Sequence, residues 1–108
     1  TFPELCHACG GCEIFCPEKA IKYINRVVGE INAGASNNLI FAEGRLNIGE
    51  ARAVPVIAKL KSMADPEIHS ILDAPPGTSC PFVETVRGSD VCVLVTEPTP
   101  FGLNDLEI

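Results

Sequence analysis

The sequence predicts an α/β fold, and three observations carry that expectation. Residues 68–73 (Ile68, His69, Ser70, Ile71, Leu72, Asp73) and 91–96 (Val91, Cys92, Val93, Leu94, Val95, Thr96) read as two short buried strands. Between them lie a loop, Ala74-Pro75-Pro76-Gly77-Thr78-Ser79, and a helical stretch from Pro81 to Arg87 that ends at Gly88. Apolar strands on either side of a helical crossover predict parallel neighbours covered on both faces and joined with a right hand. The third observation is residues 50–64, where Ala53, Val54, Ile57, Leu60 and Met63 or Ala64 make an apolar stripe, with Arg52, Lys59 and Lys61 outside it. Pro55 fits this helix only in its first turn, which moves the expected start towards Arg52, and Asp65-Pro66 breaks it.

In chain order the first feature is Cys6-His7-Ala8-Cys9-Gly10-Gly11-Cys12-Glu13-Ile14-Phe15-Cys16-Pro17. Four cysteines separated by two, two and three residues and followed by proline resemble the iron–sulfur run of bacterial ferredoxins. Thiolates at this spacing on a tight loop can converge on three irons of one cubane. Gly10 and Gly11 let the backbone bend and bring N–H groups close to the sulfides, and Pro17 turns the chain away. In two-cluster ferredoxins the fourth cysteine of such a run serves the other cluster. On that rule Cys6, Cys9 and Cys12 ligate one 4Fe-4S cluster and Cys16 supplies a ligand to a second. Neither cluster is complete within these residues. A disulfide framework is disfavoured by the large apolar fraction and the absence of a signal segment. A zinc site usually pairs two CxxC knuckles across a longer gap, although zinc can fill four thiolates in an aerobic sample.

The chain has 108 residues, 46% of them hydrophobic, which predicts one small domain with its own core. The net charge is −6 with no basic run, arguing against nucleic acid or an anionic membrane surface as a partner. No apolar stretch reaches membrane-spanning length, and cysteines at metal-ligand spacing point to a reducing cytoplasm. Because the sequence starts at Thr1, almost inside the cysteine run, and stops in what reads as a young helix, it is expected to be an internal fragment of a longer protein.

Residues 17–22 read as a short helical turn in which Ala20 and Ile21 cover the clusters. Residues 23–31 and 39–46, rich in β-branched and aromatic side chains, flank the turn-forming Ala33-Gly34-Ala35-Ser36-Asn37-Asn38 and predict a β-hairpin. This hairpin is expected to be a ribbon that carries the chain away from the clusters, without chemistry of its own. After residue 96, Glu97-Pro98-Thr99-Pro100-Phe101-Gly102 leads into a further helix. No internal repeat is visible.

An acidic residue at the carboxyl end of an apolar strand, followed by a Pro/Gly loop, sits where open α/β sheets bind ligands. Asp73 is thus a candidate to hold magnesium through water, with a turn-former or helix cap as the plain alternative. The block Ile71-Leu72-Asp73-Ala74-Pro75-Pro76-Gly77-Thr78, followed by residues 91–96 and Glu97-Pro98-Thr99-Pro100, resembles the MinD/ParA/Mrp class of P-loop ATPases. With a ferredoxin run ahead of it, the whole chain is similar to members of that superfamily with an inserted ferredoxin domain, the cobyrinic acid a,c-diamide synthase-like nucleotide-binding family. The resemblance implies that Asp73 holds Mg2+ of a bound ATP, that Gly77 and Thr78 form the switch sensing the γ-phosphate, and that residues from Glu97 and Pro98 to Pro100 border the base. It further implies a homodimer and a redox or iron–sulfur acceptor protein as partners. The chain departs from the family in one large respect: no G-x-x-x-x-G-K-[ST] loop occurs in it.

Cys80, seven residues past Asp73, stands where the nitrogenase iron protein, a distant relative of this class, carries a cluster cysteine. The alternative is a small residue starting a helix. Cys92 reads as core, and His7 and His69 as structural. The expected organisation is the second half of a ferredoxin-like insert over residues 1–22, a hairpin connector over 23–50 and the C-terminal part of a P-loop NTPase parallel sheet over 51–108. The implied activity is ATP binding or hydrolysis coupled to electron transfer or cluster delivery, with the fragment alone inactive. The alternatives are a plain ferredoxin-type carrier fused to a non-catalytic α/β domain, and a scaffold that assembles clusters.

Overall fold

The computed structural model describes Cys6 and residues 9–107. Its elements in chain order are α1 (Gly11–Ile14), β1 (Gly29–Ser36), β2 (Leu39–Leu46), α2 (Val54–Lys61), α3 (Cys80–Val86) and α4 (Pro100–Glu107). The chain divides into two compact units, residues 1–56 and 57–108.

In the first unit the helical turn lies inside the cysteine run, at α1, and not over residues 17–22 as expected. Pro17 lacks an N–H and biases Cys16 away from helical geometry, and Lys19 adopts a left-handed φ of 48°, so a helix cannot propagate there. Strands β1 and β2 pair antiparallel from Gly29↔Leu46 to Ser36↔Leu39. The turn is therefore only Asn37 and Asn38, with Asn37 at φ 53°, a left-handed value that Asn tolerates better than most residues. Residues 33–36, expected in the turn, belong to the ladder instead. Once the register is set, backbone pairing outweighs the weak strand preference of Ala33, Gly34 and Ser36. The same register brings the backbones so close at Gly29 that any Cβ there would collide with the Arg45 carbonyl. Beyond the ladder, Asn47 N–H donates to Val28 O at 3.0 Å and its side-chain amide to Val27 O at 2.9 Å, while Glu50 N–H donates to Asn47 O at 3.0 Å. These bonds hold residues 26–28 against 47–50.

Helix α2 starts at Val54 with Pro55 in its first turn, as expected from proline's missing donor. In the second unit, α3 opens at Cys80 with Pro81 next, and Gly88 follows its end at φ 74°. Lys61 Nζ donates to Glu84 O and Arg87 O at 2.6 and 2.5 Å, satisfying carbonyls at the end of α3 that the helix leaves open. Thr85 is buried and its Oγ1 donates to Pro81 O at 2.8 Å.

The core is smaller than composition suggests. Among the described residues Val56 is the only buried apolar side chain, and the expected stripe at Ala53, Val54, Ile57 and Leu60 is half-buried, with Met63 exposed. Residues 68–73 and 91–96 make no ladder, and among the described residues the only sheet is β1–β2. Ile71 and Val95 are 98% and 92% exposed, so these runs are not the buried strands that their composition predicts. The physical reason is that a strand is buried by its neighbours, and here neither run has one. Cys92 follows its segment and is exposed, not core. No helix among the described residues is long and apolar enough to cross a membrane.

Candidate metal centre

The cysteine run is shaped by Gly10. It takes a left-handed φ of 83°, which a side chain would resist, and its carbonyl accepts from Glu13 N–H and Ile14 N–H at 3.1 and 3.2 Å to close α1. Gly11 is not required for space: a Cβ there would stand 3.6 Å from Cys9 Sγ, in ordinary contact with the thiol. Cys6, Cys9 and Cys12 are exposed and Cys16 is half-buried. Lys19 N–H closes a turn on Cys16 O at 3.1 Å, and that turn directs the Ala20 amide onto Cys16 Sγ at 3.4 Å. An amide aimed at a ligand sulfur is one of the levers by which proteins tune iron–sulfur centres.

The four thiols suit iron or zinc as donors, and each can be reached by solvent or by a cluster. The structure does not gather three or more Cys, His, Asp or Glu side chains into a metal-holding group among the described residues. Cys9, Cys12, Cys16, Cys80 and Cys92 form no disulfide among the described residues. His7 lies outside the described residues.

Two features near the cysteines were missed from sequence. Tyr23 has its phenol pushed up by partial burial and by the negative charge that Cys12, Cys6 and Cys9 present, with Glu13 acting in the same direction. The second is a charged group at the base of the hairpin. Glu50, whose side chain is only 4% exposed, is forked by Arg52 (Nε–Oε1 2.7 Å, Nη2–Oε2 2.9 Å) and paired with Arg26 at 3.2 Å. The Arg52 hydrogen bonds hold its carboxyl at about 2, well below the usual range, against the opposing effect of burial. Arg52 Nη1 also reaches Cys6 O at 3.5 Å. The hairpin thus returns the chain to the cysteine run, contrary to the expectation that it only leads away. Residues 26 and 50 lie one position off the continued β1–β2 register, so an exact strand pairing was the signal that could have found this pair.

The residues expected at a nucleotide site lie in the second unit. Asp73 is exposed and its carboxylate makes no hydrogen bond or ion pair among the described residues. Gly77 has a left-handed φ of 95°, and Thr78 beside it is exposed. Cys80 is the exposed first residue of α3, which agrees with a small residue starting a helix. Glu97 and Pro98 line an open depression of about 460 Å³ with Thr96, Thr99, Pro100 and Leu103. Its back wall is tight: Thr96 Oγ1 donates to Gly102 O at 2.8 Å, and Gly102 N–H to Thr99 Oγ1 at 3.1 Å.

Residues 1–22 match the 4Fe-4S binding domain family. The chain therefore carries an iron–sulfur segment of the ferredoxin type, and Cys6, Cys9, Cys12 and Cys16 are its thiols. Over 105 residues, 94% of the chain, it is 30% identical to uncharacterized protein MJ0579 of Methanocaldococcus jannaschii. Over 64 residues, 57% of the chain, it is 37% identical to uncharacterized protein MJ0578 of the same organism. The matched stretches span 38% and 23% of those relatives' lengths. No solved structure matches the chain.

Proposed function

We propose that the chain is a fragment of an iron–sulfur-containing MinD-like ATPase that couples ATP binding or hydrolysis to electron transfer or to cluster delivery. The observation that carries the iron–sulfur half is the cysteine run with its family match over residues 1–22. Cys6, Cys9 and Cys12 hold one 4Fe-4S cluster, and Cys16 contributes to a second. A bound cluster supplies reversible one-electron transfer. The chain's own residues shape the place for it: Gly10 bends the loop, and the Ala20 amide offsets negative charge at Cys16.

The nucleotide half rests on the resemblance of the block from Ile71 to Thr78. In it Asp73 binds Mg2+ through water, Gly77 and Thr78 respond to the γ-phosphate, and Glu97 and Pro98 border the base. Residues 68–73 and 91–96 serve as strands of a parallel α/β sheet completed elsewhere in the protein, which agrees with their open apolar side chains. The relatives are much longer than the matched stretch, leaving room for a phosphate-binding loop. The partners are ATP, a redox or acceptor protein and a second copy of the whole protein, in a reducing cytoplasm where thiols stay available.

A second reading, a plain ferredoxin-type carrier beside a non-catalytic domain, is favoured by an exposed Asp73 whose carboxylate has no partner among the described residues. Anaerobic iron and sulfide analysis of the full-length protein, with ATP turnover measured on the same sample, separates the two. Cluster content with magnesium-dependent turnover supports coupling. Cluster content without it leaves the carrier, and a protein that takes up no iron or sulfide ends both.

A further inference from the structure

Outside the thiols, the most connected polar group among the described residues of the first unit is Arg26–Glu50–Arg52. Its order has a simple origin. The hairpin ladder and the Asn47 bonds to Val27 and Val28 bring residue 26 beside residue 50, and the Asn47–Glu50 turn fixes where the Glu50 side chain begins. Glu50 also accepts from the Arg52 backbone N–H at 3.1 Å, so residues 50–52 form a tight local loop in which carboxylate and guanidinium meet edge to edge. Two side-chain N–H groups of Arg52, on Nε and Nη2, are spent on Glu50. A third, on Nη1, is left pointing at the carbonyl of Cys6. The Arg52 side chain is 20% exposed and that of Glu50 4%, so the fork is shielded from water more than a surface pair is.

We propose that Arg52 is a positioning residue for the iron–sulfur centre: clamped by Glu50, it holds a fixed positive charge and an N–H donor against the backbone of Cys6. This rests on Cys6 being a ligand, as proposed above. The charge balance favours the role. Glu50 cancels one guanidinium and Arg26 supplies another, so the trio carries a net +1 beside a run whose bound clusters are anionic. A nearby cation favours the more negative, reduced state of a cluster and so raises its reduction potential. It also resists loss of the anionic centre from its thiolates. The carboxylate fork supplies what an unrestrained surface arginine lacks, because the guanidinium pays little further rotamer entropy to stay in place.

The test compares Arg52→Met, Arg52→Gln and Arg52→Lys with wild type in the full-length protein, reconstituted anaerobically with iron and sulfide. Far-UV circular dichroism identifies any variant that fails to fold, and Gln replaces Met as the neutral variant if Met does. The readouts are the midpoint potential and the rate of iron loss to a chelator. The neutral variant should have a lower potential and lose iron roughly two- to fivefold faster, the range expected for one exposed-to-half-buried charge interaction. Lysine should restore most of the potential, since it keeps the charge, while losing iron faster than wild type because it cannot fork. Equal potentials in wild type and the neutral variant overturn the proposal. So does a lysine variant as low as the neutral one, since the effect is then packing and not charge. Failure of the wild type itself to take up iron and sulfide is a different result: it removes the iron–sulfur reading, and the role of Arg52 with it.

Discussion

The amide of Ala20 donates to Cys16 Sγ at 3.4 Å, just past a turn in which Lys19 is left-handed at φ 48°. Cys16 lies beyond the end of α1, whereas Cys6 and Cys9 precede it and Cys12 lies within it. That placement fits a division of labour in which Cys16 serves a different cluster from the other three. The expected consequence is stoichiometric. Residues 1–108, reconstituted anaerobically as a monomer, should bind well short of the ~8 irons that two cubanes require. Cys16→Ser in the full-length protein should lower iron content by about one cluster's worth and leave the rest, and iron and sulfide analysis with the visible spectrum checks both. Binding of eight irons by the monomeric chain would falsify the split of ligands.

Glu50 predicts an acid limb of stability for the first unit. Its folded-state carboxyl sits at about 2, below the ordinary 4.5, because Arg52 hydrogen-bonds the charged form. A depressed carboxyl contributes stability that is fully present above its unfolded value and is lost as pH falls through the folded one. Urea unfolding of the metal-free protein, followed from pH 6 to pH 2, should therefore show stability falling from near 4.5 downward. In Glu50→Gln that part of the slope should be missing, and stability at pH 6 should be lower, because Arg26 and Arg52 lose their shared anion. An unchanged slope in Glu50→Gln would show that the fork does not persist in solution.

Gly102 is the tightest of the glycines in the second unit. A Cβ there would run into the Glu97 carbonyl and stand 2.7 Å from Thr96 Oγ1. The backbone of residues 96–97 must shift to admit it, and the Thr96–Gly102 and Gly102–Thr99 bonds shift with it. Gly102→Ala should cost roughly 1–3 kcal/mol, the usual penalty for forced overpacking. Gly34→Ala, where a Cβ meets open space, is the control and should be nearly neutral. Urea midpoints of the two variants decide it.

Local chemistry was the legible part. The spacing of the cysteines, Pro55 in the first turn of α2, Pro81 and Gly88 at the ends of α3, and the existence of the hairpin all follow from residues a few positions apart. What sequence misplaced depends on partners farther away. Residues 33–36 looked like turn and became strand because their opposite numbers at 39–42 fixed the register. Cys92 looked buried because valines flank it, but burial belongs to neighbouring strands, which these residues lack. Arg52 looked like the solvent face of an amphipathic helix. The structure starts that helix two residues later and gives the guanidinium to Glu50 and Cys6, a contact across 46 positions that no local pattern encodes.

The nucleotide reading stands or falls on Asp73. If Asp73 organises magnesium, Asp73→Asn in the full-length protein removes one negative charge from the metal's shell while keeping size and shape, so the transition state loses metal-held stabilisation. ATP hydrolysis should drop by roughly two orders of magnitude or more, on the scale of losing one such electrostatic contact, with iron content and visible spectrum unchanged. Cys9→Ser should do the opposite. A hydroxyl is a harder and far less acidic ligand than a thiol, so cluster content falls. Basal hydrolysis should survive, because Cys9 and Asp73 belong to different compact units. Residues 1–108 alone should bind ATP negligibly, since the lysine and amide cradle of a phosphate loop are not among them. ATP-dependent transfer of electrons or clusters should fail in both variants if the two chemistries are coupled. Normal hydrolysis by Asp73→Asn would reduce Ala74-Pro75-Pro76-Gly77 to a plain turn, in keeping with the exposed carboxylate, and would leave the cysteine run as a carrier on its own.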